Sequence, residues 1–285
     1  MVYATDLVEK GFELDPRQVS HLEAACQDPS ETTILVMVDE TCECPEPPLG
    51  MPAACLSNVV RIYPFNDASS AHAQSRNAYI PLGPRDTFPF VAEERRRAAS
   101  ERSLLFNSVV SARTSVRRKQ VVEIVRQYTA SNPDVPCVGQ PATMDEGEWQ
   151  ELLLDSKFTI SPGGHNPETY RTWEALEAGS IPIVSKLDFT HPAYEWTTSC
   201  GVGTVAWDVV AASPFAKEVS VEDWTQLPVL LNRLRAESDD YINRLQAASY
   251  EWYSAVMNRT YASALNFGEG QELFPQDGPI LDHVH

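Results

Sequence analysis

Apolar and polar positions alternate along this chain in blocks that predict strands separated by helices. Thr32–Val38 (TTILVMV) is a continuous apolar run with the length of a buried strand. In a predicted helix at Asp145–Asp155, Trp149, Leu152 and Leu153 share one side. Further strands are predicted at Asn58–Tyr63, Asn77–Leu82, Ser103–Val110, Val135–Val138, Phe158–Ser161, Ile181–Val184 and Gly203–Ala206. Further helices are predicted at Asp15–Cys26, Val116–Thr129, Glu168–Ala178, Leu227–Ala236 and Asp239–Met257.

This alternation predicts an α/β fold with parallel sheets, because strands that are joined through helices form right-handed crossovers. Three prolines between positions 81 and 89, followed by the charged run EERRRAASER, are typical of a connector. They divide the chain into a short N-terminal α/β domain at 1–97, a larger domain at 98–265 and a C-terminal tail at 266–285. Ligands of such sheets bind where the strands end and the loops lead into helices.

The charge balance narrows the possible partners. The 285 residues include 22 Lys and Arg against 40 Asp and Glu, a formal net charge of -18. So acidic a surface repels polyphosphate, which argues against nucleic-acid binding. A small phosphorylated ligand remains possible where basic residues gather locally. Arg95–Arg97 is interpreted as a solvated basic run.

Targeting signals and cysteines leave the compartment open. No apolar run of about 18 residues predicts a membrane span, and the N-terminal residues do not resemble a signal peptide. The sequon at Asn258 points weakly to the secretory route. Cys42, Cys44 and Cys55 cluster without a nearby histidine, which disfavours zinc. The pattern fits a loop disulfide in a secreted protein and free thiols otherwise.

The strongest candidate site follows the strand Phe158–Ser161. The loop Pro162-Gly163-Gly164-His165-Asn166-Pro167 leads into a helix, whose N-terminal N–H groups favour a bound phosphate. In that helix Arg171 and Glu174 share one face. Their spacing fits either a surface ion pair or a nucleotide site, in which Arg171 contacts a diphosphate and Glu174 accepts from ribose hydroxyls. Trp173 and Leu176, on another face, are expected in the core.

The segment SKFTISPGGHNPETYRTWEALEAGSIPIVSK, residues 156–186, resembles the donor-site signature of the exostosin-type glycosyltransferases. It is most similar to the C-terminal domain of the ribitol xylosyltransferase family. Weaker similarity extends in blocks over most of residues 35–255. The resemblance implies a GT-B-like fold, with a Rossmann-like nucleotide-sugar domain and a reduced N-terminal domain, and it favours the nucleotide-site interpretation of Arg171 and Glu174.

The resemblance also implies a set of donor-binding residues around the loop. A basic cluster at Ser111–Lys119 follows a predicted strand and either faces the same crevice or forms a solvated helix end. The expected donor-binding residues are Arg113, Arg117, Pro162, Gly163, Gly164, Asn166, Arg171 and Glu174.

Three residues are candidates for the catalytic base. Asp39 and Glu40 follow a strand and are candidates for the base that deprotonates an acceptor hydroxyl, although carboxylates there also cap turns. His165 is a third candidate, or simply a loop histidine. Retaining relatives carry a second glutamate eight positions before the one matched by Glu174, where this chain has Asn166, and this favours inversion. No DxD motif stands near the donor segment, so catalysis without a metal or covalently bound cofactor is expected.

The leading hypothesis is therefore a glycosyltransferase that uses a UDP-sugar as co-substrate and a glycan or glycoprotein as acceptor, with xylose as the suggested sugar. The alternatives are a non-catalytic nucleotide-sugar-binding or scaffold remnant, and a structural α/β domain without a ligand. The resemblance implies the Golgi lumen if the chain is a fragment of a membrane-anchored enzyme, and the cytoplasm otherwise.

Overall fold

The computed structural model describes most of the second half of the chain and short parts of the first. The described residues are 81–85, 87–113, 115–139, 144–164, 167–190 and 202–265, the last with side chains at 207–260, and the backbone of 2–3, 34–36, 59–61 and 76–77. The chain divides into two compact units. The first comprises Met1–Pro81, Pro192–Val205 and Asn258–His285; the second comprises Leu82–His191 and Ala206–Met257.

The first unit contains a four-stranded parallel sheet. Its strands are β1 (Val2–Tyr3), β2 (Ile34–Val36), β3 (Val59–Arg61) and β4 (Arg76–Asn77), and they pair in that order. β2 and β3 lie inside the strands predicted there. Of the strand predicted at Asn77–Leu82, Asn77 belongs to β4, whereas Pro81 and Leu82 lie outside any strand. The predicted helix Asp15–Cys26 lies outside the described residues.

The second unit contains a second four-stranded parallel sheet, made of β5 (Leu104–Asn107), β6 (Cys137–Val138), β7 (Ser156–Ile160) and β8 (Ile181–Ile183). Its order is β6-β5-β7-β8, so β5 and β7 are neighbours although β6 lies between them in sequence. The chain reverses its direction of winding between β5 and β7. This is the switch point at which open α/β sheets bind ligands. The predicted α/β class with parallel sheets is confirmed.

Helices connect and flank these strands. They are α1 (Val116–Ser131), α2 (Glu146–Asp155), α3 (Tyr170–Glu177), α4 (Lys186–Thr190), α5 (Val202–Ala211), α6 (Pro214–Val219), α7 (Leu227–Ala236) and α8 (Asp239–Leu265). Short 3-10 helices lie at Glu93–Arg95, Ala99–Glu101 and Trp224–Gln226. Among the described helices, none has both the length and the apolar composition needed to cross a membrane.

Local chemistry explains where several helices begin. The Ser115 side chain accepts from the Arg118 N–H and caps α1. Asp145 and Glu148 form a reciprocal capping box at the start of α2. The strand predicted at Gly203–Ala206 is wrong: these residues belong to α5, and a short apolar run does not by itself distinguish a strand from a buried helix.

Two aromatic side chains mark the core of the second unit. Trp173 on α3 is fully buried and stacks on Trp252 of α8 at 6.1 Å between ring centroids. Leu176 is also buried, as predicted. Trp149, Leu152 and Leu153 are all buried, which confirms the apolar side predicted for α2.

The arginine run 95–97 is only partly the solvated run predicted from the sequence, since the Arg95 and Arg97 side chains are 43% and 39% exposed and that of Arg96 is largely buried. Arg95 and Arg97 pair with Glu151 on α2. The Arg96 side chain is only 11% exposed and donates to the carbonyl oxygens of Glu177 and Val91. Each of these carboxylates lies far from the arginine run in sequence, so no local pattern predicted the ion pairs. The second unit begins at Leu82, whereas the sequence placed the domain boundary between residues 97 and 98.

Candidate functional site

The loops that follow β5 and β7 meet at the switch point. The Gly163 carbonyl oxygen in the loop after β7 accepts from Arg118 Nε (3.2 Å) and from the Ser115 hydroxyl (3.4 Å). Ser115 and Arg118 lie at the start of α1, which the loop after β5 enters. The glycine loop and the basic helix start are therefore in contact at the carboxyl ends of the two strands.

The two loop glycines have different structural requirements. A Cβ at Gly164 would lie 2.5 Å from Arg118 Nη2, so glycine lets the guanidinium lie against the loop backbone. The Gly163 N–H donates to Asp188 Oδ2 at 2.9 Å. Asp188, on α4, is buried and also accepts from Trp224 Nε1 at 2.9 Å. Asp188 thereby fixes the peptide between Pro162 and Gly163, and the carbonyl oxygen of the next peptide accepts from Arg118.

The Arg171 guanidinium carries a buried nitrogen whose hydrogen-bonding capacity is not used. Its Nε is buried and has no hydrogen-bond partner among the residues that the structure describes. Its Cζ lies 5.7 Å from the centroid of the Trp149 ring, within reach of a cation–π interaction. The pKa of Arg171 is lowered to about 9: burial is the largest cause, the charges of Arg118 and Arg85 act in the same direction, and that of Glu174 opposes them. Arg171 is still charged at neutral pH, at a cost that a bound anion would offset.

Glu174 is not the exposed partner of Arg171 that helical spacing alone favoured. Its side chain is 3% exposed, and its two oxygens accept from Arg85 Nε and from Trp149 Nε1, each at 2.7 Å. Burial acts to lower the pKa of Arg85, but the hydrogen bond and the charge of Glu174 outweigh it and the net pKa is raised. Arg85 thus joins Arg118 and Arg171, and we call these three the donor-site arginines.

The other predicted donor-binding residues have varied surroundings. Pro162 is buried with the two glycines. Arg117 lies 3.8 Å from Asp188 and 3.9 Å from Asp223, so it is ion-paired within the fold. Arg113 is exposed, and its backbone N–H donates to the Ser111 hydroxyl. Asn166 and the catalytic candidates Asp39, Glu40 and His165 lie outside the described residues.

Sequence reasoning did not select Arg85 or Asp188 for this site, and it counted Arg118 only as a member of a basic cluster. The capping serine was the available signal for Arg118, because it places that residue in the first turn of α1. For Arg85 and Asp188 no local motif pointed to the crevice. In the described part of the chain, no group of three or more His, Cys, Asp or Glu side chains is placed to hold a metal ion. Cys137 is a free thiol whose pKa is raised by burial, and the other five cysteines lie outside the described residues.

The parallel sheet, its switch point and the cationic glycine loop define a Rossmann-like α/β domain of the kind found in exostosin-like glycosyltransferases. The model of the RXYLT1 C-terminal domain family matches residues 85–266. The chain belongs to this family, and the match includes Arg85, the start of α1, the glycine loop and α3.

Three relatives illustrate the relationship. Ribitol-5-phosphate xylosyltransferase 1 of Danio rerio is 27% identical over 176 residues, which cover 59% of this chain and 38% of the relative. The Mus musculus protein of the same name is 27% identical over 173 residues, 58% of this chain and 38% of the relative. Probable xyloglucan galactosyltransferase GT13 of Arabidopsis thaliana is 27% identical over 107 residues, 36% of this chain and 23% of the relative. The matched region thus spans less than half the length of these proteins.

Proposed function

We propose that this chain is a glycosyltransferase that binds a UDP-sugar at the switch point and transfers its sugar to a glycan or glycoprotein acceptor. The observation that carries the proposal is the group of donor-site arginines beside the glycine loop, with a buried Arg171 Nε that lacks a partner in the described structure. Guanidinium groups bind phosphate with strong, charge-assisted hydrogen bonds. A diphosphate would supply the acceptor that Arg171 Nε lacks.

The names of the relatives make xylose the first sugar to test and galactose the second. Two relatives are named as xylosyltransferases and one as a probable galactosyltransferase. Both sugars are carried by UDP in the nucleotide-sugar pool, which makes UDP the proposed nucleotide. The Golgi lumen is the compartment that we propose for a chain that acts on glycoproteins.

The arginines have a specific task in the chemistry that we propose. As the bond between the sugar and the diphosphate breaks, its electron pair stays on the phosphate oxygen, and the guanidinium groups stabilise that charge without a metal. The acceptor hydroxyl attacks from the opposite face, which inverts the anomeric carbon, and its proton passes to a base. Asp39, Glu40 and His165 are the candidates for this base.

Calorimetric titration of the purified chain with UDP, GDP and ADP tests the donor site. We expect selective binding of UDP, and we expect Arg171→Met to weaken it by about 10–100-fold through loss of charge-assisted hydrogen bonds. Arg126→Met is the matched control, because Arg126 is exposed on α1 and pairs only with the neighbouring Glu123 and its own helix. If none of the three nucleotides binds, the proposed site is wrong.

A second measurement separates catalysis from binding. Release of UDP from UDP-xylose and UDP-galactose is followed with a panel of glycan and glycoprotein acceptors. Acceptor-dependent release that is lost in Arg171→Met supports the transferase. UDP binding without release from either donor on any acceptor supports a nucleotide-sugar-binding protein that does not catalyse transfer.

A further inference from the structure

The first residues of the second unit form hydrogen bonds with α3 and with the residue that shortly precedes it. Residues 82–91, which we call the entry segment, place three donors on three glutamates in or just before this helix. The contacts are Leu82 N–H to Glu168 Oε1 (2.7 Å), Arg85 Nε to Glu174 Oε1 (2.7 Å) and Val91 N–H to Glu177 Oε1 (3.1 Å). All three glutamates are buried. These contacts connect the entry segment to the helix that follows the glycine loop.

The contact between Arg85 and Glu174 positions the Arg85 guanidinium. Glu174 is held from two sides, since its second oxygen accepts from Trp149 Nε1 of α2. Arg85 uses only its Nε for this carboxylate, so its two terminal amino groups lie outside that hydrogen bond. The Arg85 side chain is 41% exposed. A guanidinium with an anchored Nε and a solvent-accessible terminus is well suited to meet an anion.

The neighbouring charges show what kind of anion fits. Arg85 and Arg118 both act electrostatically on Arg171, with Glu174 as the compensating carboxylate. Arg85 and Arg171 share Glu174 as a neighbouring carboxylate, and Glu146 also acts on Arg85. A diphosphate offers more oxygen acceptors than a monophosphate and carries more negative charge. A second phosphate therefore gives the exposed Arg85 guanidinium an acceptor that a monophosphate bound at Arg171 leaves out of its reach.

We propose that Arg85 is a phosphate-binding residue that makes the site selective for a nucleoside diphosphate over a monophosphate, and that Glu174 is its positioning residue. This rests on the proposed function, because it assumes that the nucleotide binds at the switch point. It assigns a role to an arginine from outside the glycine-loop signature. It also assigns to Glu174 the task of holding Arg85, in addition to or in place of contact with a ribose.

The test compares UDP with UMP by calorimetry in the wild-type chain and in Arg85→Gln. We expect Arg85→Gln to lower the affinity for UDP by about tenfold, the effect of one charge-assisted hydrogen bond, while the affinity for UMP changes less than about twofold. The matched control is Arg95→Gln. Arg95 has nearly the same exposure, 43%, and also pairs with a glutamate, but its partner Glu151 lies on the outer part of α2. Arg95→Gln should leave both affinities unchanged.

Glu174→Gln tests the positioning role. If Glu174 acts through Arg85, the loss of UDP-over-UMP preference caused by Arg85→Gln should be at least about threefold smaller in the Glu174→Gln background than in the wild type. Additive effects of the two substitutions would overturn the positioning role. Equal losses for UDP and UMP in Arg85→Gln, or no loss at all, would overturn the role of Arg85. Failure of the wild-type chain to bind UDP would overturn the proposed function and this inference together.

Discussion

Two groups of arginines in the second unit have opposite surroundings. The structural arginines, Arg95, Arg96, Arg97 and Arg102, have their charges or donors matched by carboxylates and backbone carbonyls. The donor-site arginines lie near one another, with Glu174 as the carboxylate between them. Both groups lie in an acidic chain that has enough carboxylates to neutralise every arginine. In the second group Arg85 pairs with Glu174, whereas the buried Arg171 Nε has no partner in the described structure.

Arg102 and Arg171 make this contrast sharpest. Burial lowers the pKa of Arg102 to about 10 and that of Arg171 to about 9, so both cations are held at a cost. Arg102 spreads its donors over four backbone carbonyls, those of Arg97, Leu153, Ser156 and Ala178. Arg171 has a buried Nε without a partner in the described structure. The donors of Arg102, which is 4% exposed, are thus matched within the fold, whereas the partly buried Arg171 keeps one unmatched donor.

The largest effect is expected from Arg102→Met. Removing this guanidinium takes one donor from each of four carbonyls, of which that of Arg97 keeps Gln246 Nε2 and that of Leu153 keeps the Ser156 N–H. Because the Ser156 and Ala178 carbonyls lose a buried donor and the packing of the side chain is lost, we expect the free energy of unfolding to fall by about 3 kcal/mol. Chemical denaturation followed by circular dichroism measures the change. Arg126→Met, at an exposed position, should leave the denaturation midpoint where it is. A loss well under 1 kcal/mol for Arg102→Met would remove the distinction between the two groups.

An intermediate effect is expected from Gly164→Ala, which acts on Arg118. The new methyl group would meet Arg118 Nη2 at 2.5 Å and force this flexible side chain away from the loop. We expect UDP affinity to fall by about tenfold, or about 1.4 kcal/mol, with little change in thermal stability. Gly139→Ala is the control, because a Cβ there meets nothing within 4 Å. Unchanged UDP affinity in Gly164→Ala would show that the position of Arg118 does not matter for the ligand.

The smallest effect is expected from Arg171→Met, and the sign of its change in stability is informative. Arg171→Met removes a buried charge and an unpaired donor, so we expect the unliganded protein to become more stable by about 1 kcal/mol, or about 2–4 °C in Tm. Binding of UDP should weaken in the same variant. Differential scanning calorimetry without nucleotide measures the gain, and Arg171→Lys, which keeps the charge, should show none. A loss of stability in Arg171→Met would place Arg171 among the structural arginines.

The sequence was most informative where the signal is local. The bounds of α7 were predicted to the residue, and those of α1 and α2 within two residues, because capping residues and apolar spacing act over a few positions. The glycine loop and its helix were recognised for the same reason. The strand predicted at Gly203–Ala206 failed because four apolar or small residues carry too little pattern to exclude a helix.

The site could be predicted only in part, because its contacts join distant positions. Arg85 and Glu174 are 89 residues apart, and Asp188 reaches Gly163 across 25 residues. No periodicity relates such positions. The arginine run 95–97 is typical of a solvated surface in sequence, yet its side chains pair with glutamates and carbonyls from other elements.

The sequence by itself determined the α/β alternation, the glycine loop at Pro162–Gly164 and the family to which the chain is similar, since each depends on neighbouring residues. The tertiary structure decided which arginine donors are matched within the fold. Such matching depends on distance in space, and the order β6-β5-β7-β8 makes β5 and β7 neighbours, so that the loop after β7 meets the start of α1. Identical side chains therefore stabilise the fold at one end of this unit and form a candidate ligand site at the other.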